Sequence, residues 1–98
     1  MRMKRTEALQ ILRQALPDLK RDFGVVGAGL FGSVARDEAG EDSDVDVLVE
    51  LARPLSYFDI VRLEETVSRA LGCKADVVSR SEMRPALLAA IDADLISA

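Results

Sequence analysis

Two aspartates open a valine-rich run, Asp44-Val45-Asp46-Val47-Leu48-Val49-Glu50-Leu51. Valine at this density predicts a strand over residues 44–51. Side chains of a strand alternate between its faces, so Asp44 and Asp46 project to one side while Val45, Val47 and Val49 project to the other. Leu48 and Glu50 share the aspartates' face. Two like charges so close repel, and each favours its protonated form unless a cation lies between them. Mg²⁺ resolves that conflict, being a hard ion held by one or two carboxylates together with substrate phosphates. The same pair also fits a solvated strand edge whose charges discourage edge-to-edge pairing.

Upstream, Gly32-Ser33 follows the apolar stretch Val25 to Phe31 and opens a short helix, Ser33 to Arg36. A helix start presents unpaired N–H groups that attract anions, glycine lets an anion approach the backbone, and serine adds a hydroxyl donor. Taken alone, Gly-Ser after a strand is an ordinary turn. Placed before two cofacial aspartates, it supplies the phosphate half of a metal–phosphate site. Asp76 is the third element: in "KADVV" it puts one carboxylate into an otherwise apolar strand, which is costly unless the group is paired or ligates a metal. If that strand neighbours the first, three carboxylates converge. Two-metal phosphoryl chemistry uses such a cluster, with ions about 3.5–4 Å apart. Asp76 would then accept the proton of an attacking hydroxyl. An aspartate satisfied by a turn at a strand end is the alternative.

The elements that must position these groups can be read from periodicity. Leu9, Leu12, Leu16 and Leu19 recur at helical spacing from Arg5 to about Arg21, with Pro17 expected to kink or split that helix. Val25 to Phe31 reads as a buried strand. A helix follows Pro54, with "SYFD" as a capping box, Ile60, Leu63, Val67 and Leu71 as its buried stripe, and Gly72 as its terminal glycine. Residues 74–79 form a third strand, and a last helix runs from Pro85 to Ile91. The order α-β-α-β-α-β-α predicts an α+β fold (α/β mixed), a small three-stranded mixed sheet flanked by helices. Phe23, Phe31, Phe58 and the leucines and alanines of the last helix are expected in the core.

Ninety-eight residues fit a single domain, residues 1–98. No apolar run approaches the roughly 20 residues that span a bilayer, and no secretory signal pattern opens the chain, so the expected compartment is the cytoplasm with no membrane partner. The chain has no histidine and one cysteine, which excludes the usual zinc sites and histidine acid–base chemistry. Cys73 reads as a packing residue. Net charge is −4, yet six acidic residues lie between positions 37 and 46, leaving 13 basic against 11 acidic elsewhere. The acidity is local, as a divalent cation or a solvated loop would have it.

"GLFGSVAR…SDVDVLV" resembles the signature of the polymerase-β-like nucleotidyltransferase superfamily. With the later "KADVV", the chain is most similar to minimal nucleotidyltransferase (MNT) domains, the antitoxins of HEPN/MNT toxin–antitoxin pairs. The resemblance implies a polymerase-β-like core. It implies that Gly32 and Ser33 bind nucleotide phosphate, that Asp44 and Asp46 bind metal, and that Asp76 completes a catalytic and metal-binding triad. Arg36 would steady the loop or a phosphate, and Ser43 would orient the first aspartate. Where the family often has glycine after the arginine, this chain has Asp37, which leaves that loop's conformation open.

The activity so implied is Mg²⁺-dependent transfer of AMP from ATP to a hydroxyl of a partner, with two ions. The partner is a HEPN RNase toxin, and a tyrosine near its active site the acceptor. The added charge and bulk would keep RNA from the toxin. A non-catalytic antitoxin that occludes the toxin is the alternative. Direct nucleic-acid binding is not expected, and a homodimer or a hetero-oligomer with the toxin is left open.

Overall fold

The computed structural model describes residues 3–40 and 44–98. Helix α1 (Arg5–Phe23) leads into β1 (Val25–Phe31), the one-turn α2 (Gly32–Ala35), β2 (Val45–Leu51), α3 (Tyr57–Leu71), β3 (Ala75–Ser79), a 3-10 turn (Arg80–Glu82), α4 (Pro85–Asp94) and β4 (Ile96–Ser97). The sheet order is β3-β2-β1-β4, with β2 parallel to β3 and both β2 and β4 antiparallel to β1.

Burial sets the register. Val45, Val47 and Val49 are fully buried together with Leu30 and Ala75, against Leu12 and Leu19 of α1 and Leu63 and Val67 of α3. Each such valine contributes roughly 1.5–3 kcal/mol by leaving water. Sliding β2 by one residue would expose all three and drive Asp44 and Asp46 into the core, so the alternation admits one register. Helix α2 adds Val34 and Ala35 to the same core, the 3-10 turn packs on β2, and α4 packs on β1.

Local chemistry shapes the helices. The Ser56 side chain accepts a hydrogen bond from the Asp59 N–H, 3.2 Å away, and starts α3; Gly72, in the left-handed region, ends it. Gly24 ends α1 in the same way. Pro17 does not split α1, which runs through it unbroken. The burial of Leu19 and Phe23 and the Gly24 cap hold the segment beyond the proline in helical form.

Three expectations need correction. The sheet has four strands, not three: Ile96 and Ser97 pair with Leu30 and Gly29, and the Ala98 N–H donates to the Ala28 carbonyl. A side chain at Gly29 would stand 2.8 Å from the Ile96 carbonyl oxygen, so the glycine makes this pairing possible. Helix α4 extends past Ile91 to Asp94 and lies on the surface, with only Ile91 buried. Of the phenylalanines expected in the core only Phe23 is there: Phe58 is 78% exposed, and Phe31 is half-buried, paired in register with Asp46 on the other face of the sheet. Among the described residues, no helix is long and apolar enough to cross a membrane.

Candidate active site

The open face of the sheet carries the chemistry. Asp46 is paired in register with Asp76 across the parallel β2–β3 ladder and with Phe31 across the antiparallel β1–β2 ladder. Directly paired residues share a face, so both carboxylates leave the sheet on the side away from α1 and α3. Both residues are half-buried. Burial, then the Asp76 carboxylate, then that of Asp44 push the Asp46 carboxyl above its ordinary pKa, while the Arg36 guanidinium opposes the shift. Asp46 is thus the centre of the acidic group, within the field of both other aspartates and of one cation.

Asp76 owes its position to α3. The Ser68 hydroxyl accepts from the Ala75 N–H at 2.9 Å and the Glu64 carboxylate from the Val77 N–H at 3.3 Å. These bonds satisfy the outer edge of β3 on both sides of Asp76, where, among the described residues, no further strand supplies acceptors. Asp44 immediately precedes β2, and its carboxylate lies 3.7 Å from the Lys74 ammonium. So Asp46 and Asp76 are brought together by strand pairing, whereas Asp44 is coupled to them only through its field. Among the described residues, no three side chains of metal-binding type gather into a ready metal cage.

Gly32 closes the site from above. Its φ is +76°, and a Cβ built on it would collide with the Asp46 carboxylate. The position therefore needs glycine twice over, for its backbone and for its contact. Ser33 follows half-buried, its carbonyl accepting from the Glu38 N–H at 2.8 Å. Asp37 also adopts a left-handed conformation, φ 61°, a backbone shape that glycine takes without strain. Its carboxylate accepts from the Arg5 N–H at 3.3 Å. Ser43 lies outside the described residues.

Arg36 does not stand free. It donates from Nη1 to Asp94 at 2.6 Å and from Nε to Glu38 at 3.2 Å. Neither carboxylate stood out in the sequence, because nothing in the spacing of residues 36 and 94 announces that they meet. Farther along the same face, a cleft of about 160 Å³ lies over Gly27, Gly29 and Leu48, walled by Arg80 and Leu95. Cys73 is half-buried, and burial followed by the Asp44 carboxylate pushes its thiol up, which suits packing and not nucleophilic attack.

A glycine turn against a carboxylate that is paired with a second carboxylate is the geometry the sequence motif foreshadowed. Residues 12–96 match the family model described as nucleotidyltransferase domain. The chain belongs to the nucleotidyltransferase domain family. This nucleotidyltransferase is 40% identical over 78 residues to the protein adenylyltransferase MntA of Thermococcus cleftensis, covering 80% of this chain and 79% of that one. A solved structure provisionally named as a minimal nucleotidyltransferase superposes with a TM-score of 0.78 at 36% identity, over 96% of this chain and 95% of the other. A chain from the Shewanella oneidensis complex of tri-AMPylated HEPN toxin with MNT antitoxin superposes with a TM-score of 0.62 at 19% identity, over 95% and 66%. At that identity the likeness is one of fold. The nucleotidyltransferase therefore has the α+β architecture of minimal nucleotidyltransferases, with a four-stranded sheet.

Proposed function

We propose that this nucleotidyltransferase moves AMP from ATP to a tyrosine hydroxyl of a HEPN-domain toxin and thereby acts as its antitoxin in the cytoplasm. The observation that carries the reading is the in-register pair Asp46–Asp76 beneath Gly32. The names borne by the Thermococcus relative and by the Shewanella complex supply the adenylyl group and the partner.

The residues fit a hard divalent ion. Their donors are carboxylate oxygens, and a cation beside Asp46 would offset the burial and like charges that disfavour its charged form. Asp44, Asp46 and Asp76 would hold Mg²⁺, in the proposed form two ions, with Asp44 leaving Lys74 to do so. Mg²⁺ bound there would neutralise charge on the phosphates and on the entering oxygen. The chain's own groups do the rest. The Gly32-Ser33 turn and Arg36 hold the phosphates away from β3, and Asp76 faces the acceptor. The acceptor oxygen bonds to the α-phosphorus as the bond to the β-phosphate bridge breaks; pyrophosphate leaves, and the phenolic proton passes to Asp76. Positioning and charge balance carry such a transfer, so a small domain suffices.

Incubating a purified HEPN-domain partner with the protein, Mg²⁺ and ATP labelled at the α-phosphate tests this. Label should appear on the partner with wild type and vanish with Asp46→Asn. Neutralisation of the toxin without ATP, or by Asp46→Asn as well as by wild type, would favour occlusion instead.

A further inference from the structure

We propose that Asp94, the last residue of α4, is a positioning residue that holds the Arg36 guanidinium at the nucleotide turn. The inference rests on the nucleotide reading above and adds a residue from the far end of the chain to that site.

The contact is short and charge-assisted, Arg36 Nη1 to Asp94 Oδ2 at 2.6 Å, and it ties positions 58 residues apart. Asp94 is the more enclosed partner, its side chain 30% exposed against 44% for Arg36. Glu38 takes the Nε donor from the other side. With Nε and one Nη1 hydrogen engaged, the guanidinium's plane is fixed while its remaining N–H donors stay available to an anion.

Helix energetics sharpen the argument. Asp94 sits at the negative end of α4, where a carboxylate is disfavoured, and the last turn of α4 contains no basic residue. The other carboxylate of that turn, Asp92, is taken by Arg80, with contacts of 2.8 and 3.3 Å. Arg36 is thus the cation that compensates Asp94, and an acid placed there serves Arg36 more than it serves its own helix. A free surface arginine would lose side-chain freedom on gripping a phosphate; one already held by two carboxylates loses less.

The test is a double-mutant cycle on Mg²⁺-dependent ATP binding, read by calorimetry with wild type, Asp94→Ala, Arg36→Ala and the double variant. Asp94→Ala should weaken ATP binding about tenfold. The double variant should bind no more weakly than Arg36→Ala, and Asp94→Glu should recover part of the loss. In steady-state transfer the KM for ATP should rise while the KM for the acceptor protein stays put. Should Asp94→Ala melt far below wild type, Asp94→Asn, which keeps the shape and an acceptor oxygen, carries the same cycle. Wild-type affinity in the Asp94 variant, or losses that add in the double variant, would overturn the role of Asp94 and leave the nucleotide site standing. Failure of wild type itself to bind ATP would overturn both.

Discussion

Asp46 and Asp76 are register partners on neighbouring parallel strands, and each is flanked on both sides by residues buried in the core. The spacing of the two carboxylates is therefore set by the same valines that hold the sheet on α1 and α3. Activity and stability pull against each other at this point. The core fixes the register, and the register forces two like charges together.

That opposition predicts a separation of function from stability. The Asp46 carboxyl is raised above the ordinary carboxyl range by burial and by Asp76 and Asp44. Folding therefore favours protonated Asp46, and the stability this gives is complete below the unfolded value and lost as pH rises through the folded one. Above the folded value the ionised group destabilises the ligand-free protein. Asp46→Asn should lower transfer by more than about a hundredfold, since even outer partners of metal ligands cost 10–100-fold. The variant should nevertheless melt above wild type at neutral pH, with the gap closing as the pH falls towards the unfolded carboxyl value. Thermal melts across that range check the sign, and a variant that melts below wild type at neutral pH would contradict it.

Gly32→Ala should fail for geometric reasons. The added methyl meets the Asp46 carboxylate, and φ of +76° is strained for any side chain. A loss of about 1–3 kcal/mol in stability is expected, with transfer reduced more than any stability loss explains. Denaturant melts alongside a transfer assay measure both.

Two serines give a matched comparison. Ser56 caps α3 at the end remote from the acidic site, and Ser68 bonds the Ala75 N–H beside Asp76. Each change to alanine should cost about 1 kcal/mol. Only Ser68→Ala should also lower kcat, because it loosens the strand that carries Asp76. Equal kcat values for the two variants would remove α3 from the positioning of Asp76.

Asp37 is a left-handed non-glycine residue with a weak compensating bond to the Arg5 N–H. Asp37→Gly should be tolerated within about 1 kcal/mol, while Asp37→Val should destabilise by roughly 1–2 kcal/mol. Melting temperatures of the two variants check this ordering.

Much of the framework was legible because it rests on local rules. Alternating valines marked β2, the Ser56 box and Gly72 bounded α3, and the Gly32-Ser33 turn stood where an apolar strand ended. The rest depends on contacts distant in sequence. Ile96-Ser97 is too short to show a period, and its pairing relies on the bare backbone of Gly29. The apolar run of α4 reads as core by composition, yet the sheet face beneath it takes up only Ile91. The motif assigns Arg36 to the loop or a phosphate; its partners Glu38 and Asp94 meet it only where the chain closes on itself.

The most direct test of the central claim is the intact mass of a HEPN-domain partner co-expressed with this protein. With wild type, the partner should carry one or more added AMP groups on a tyrosine, and with Asp44, Asp46 and Asp76 all changed to asparagine it should carry none. An unmodified partner beside an active, folded wild-type protein, or a partner modified equally by the triple variant, would contradict the account.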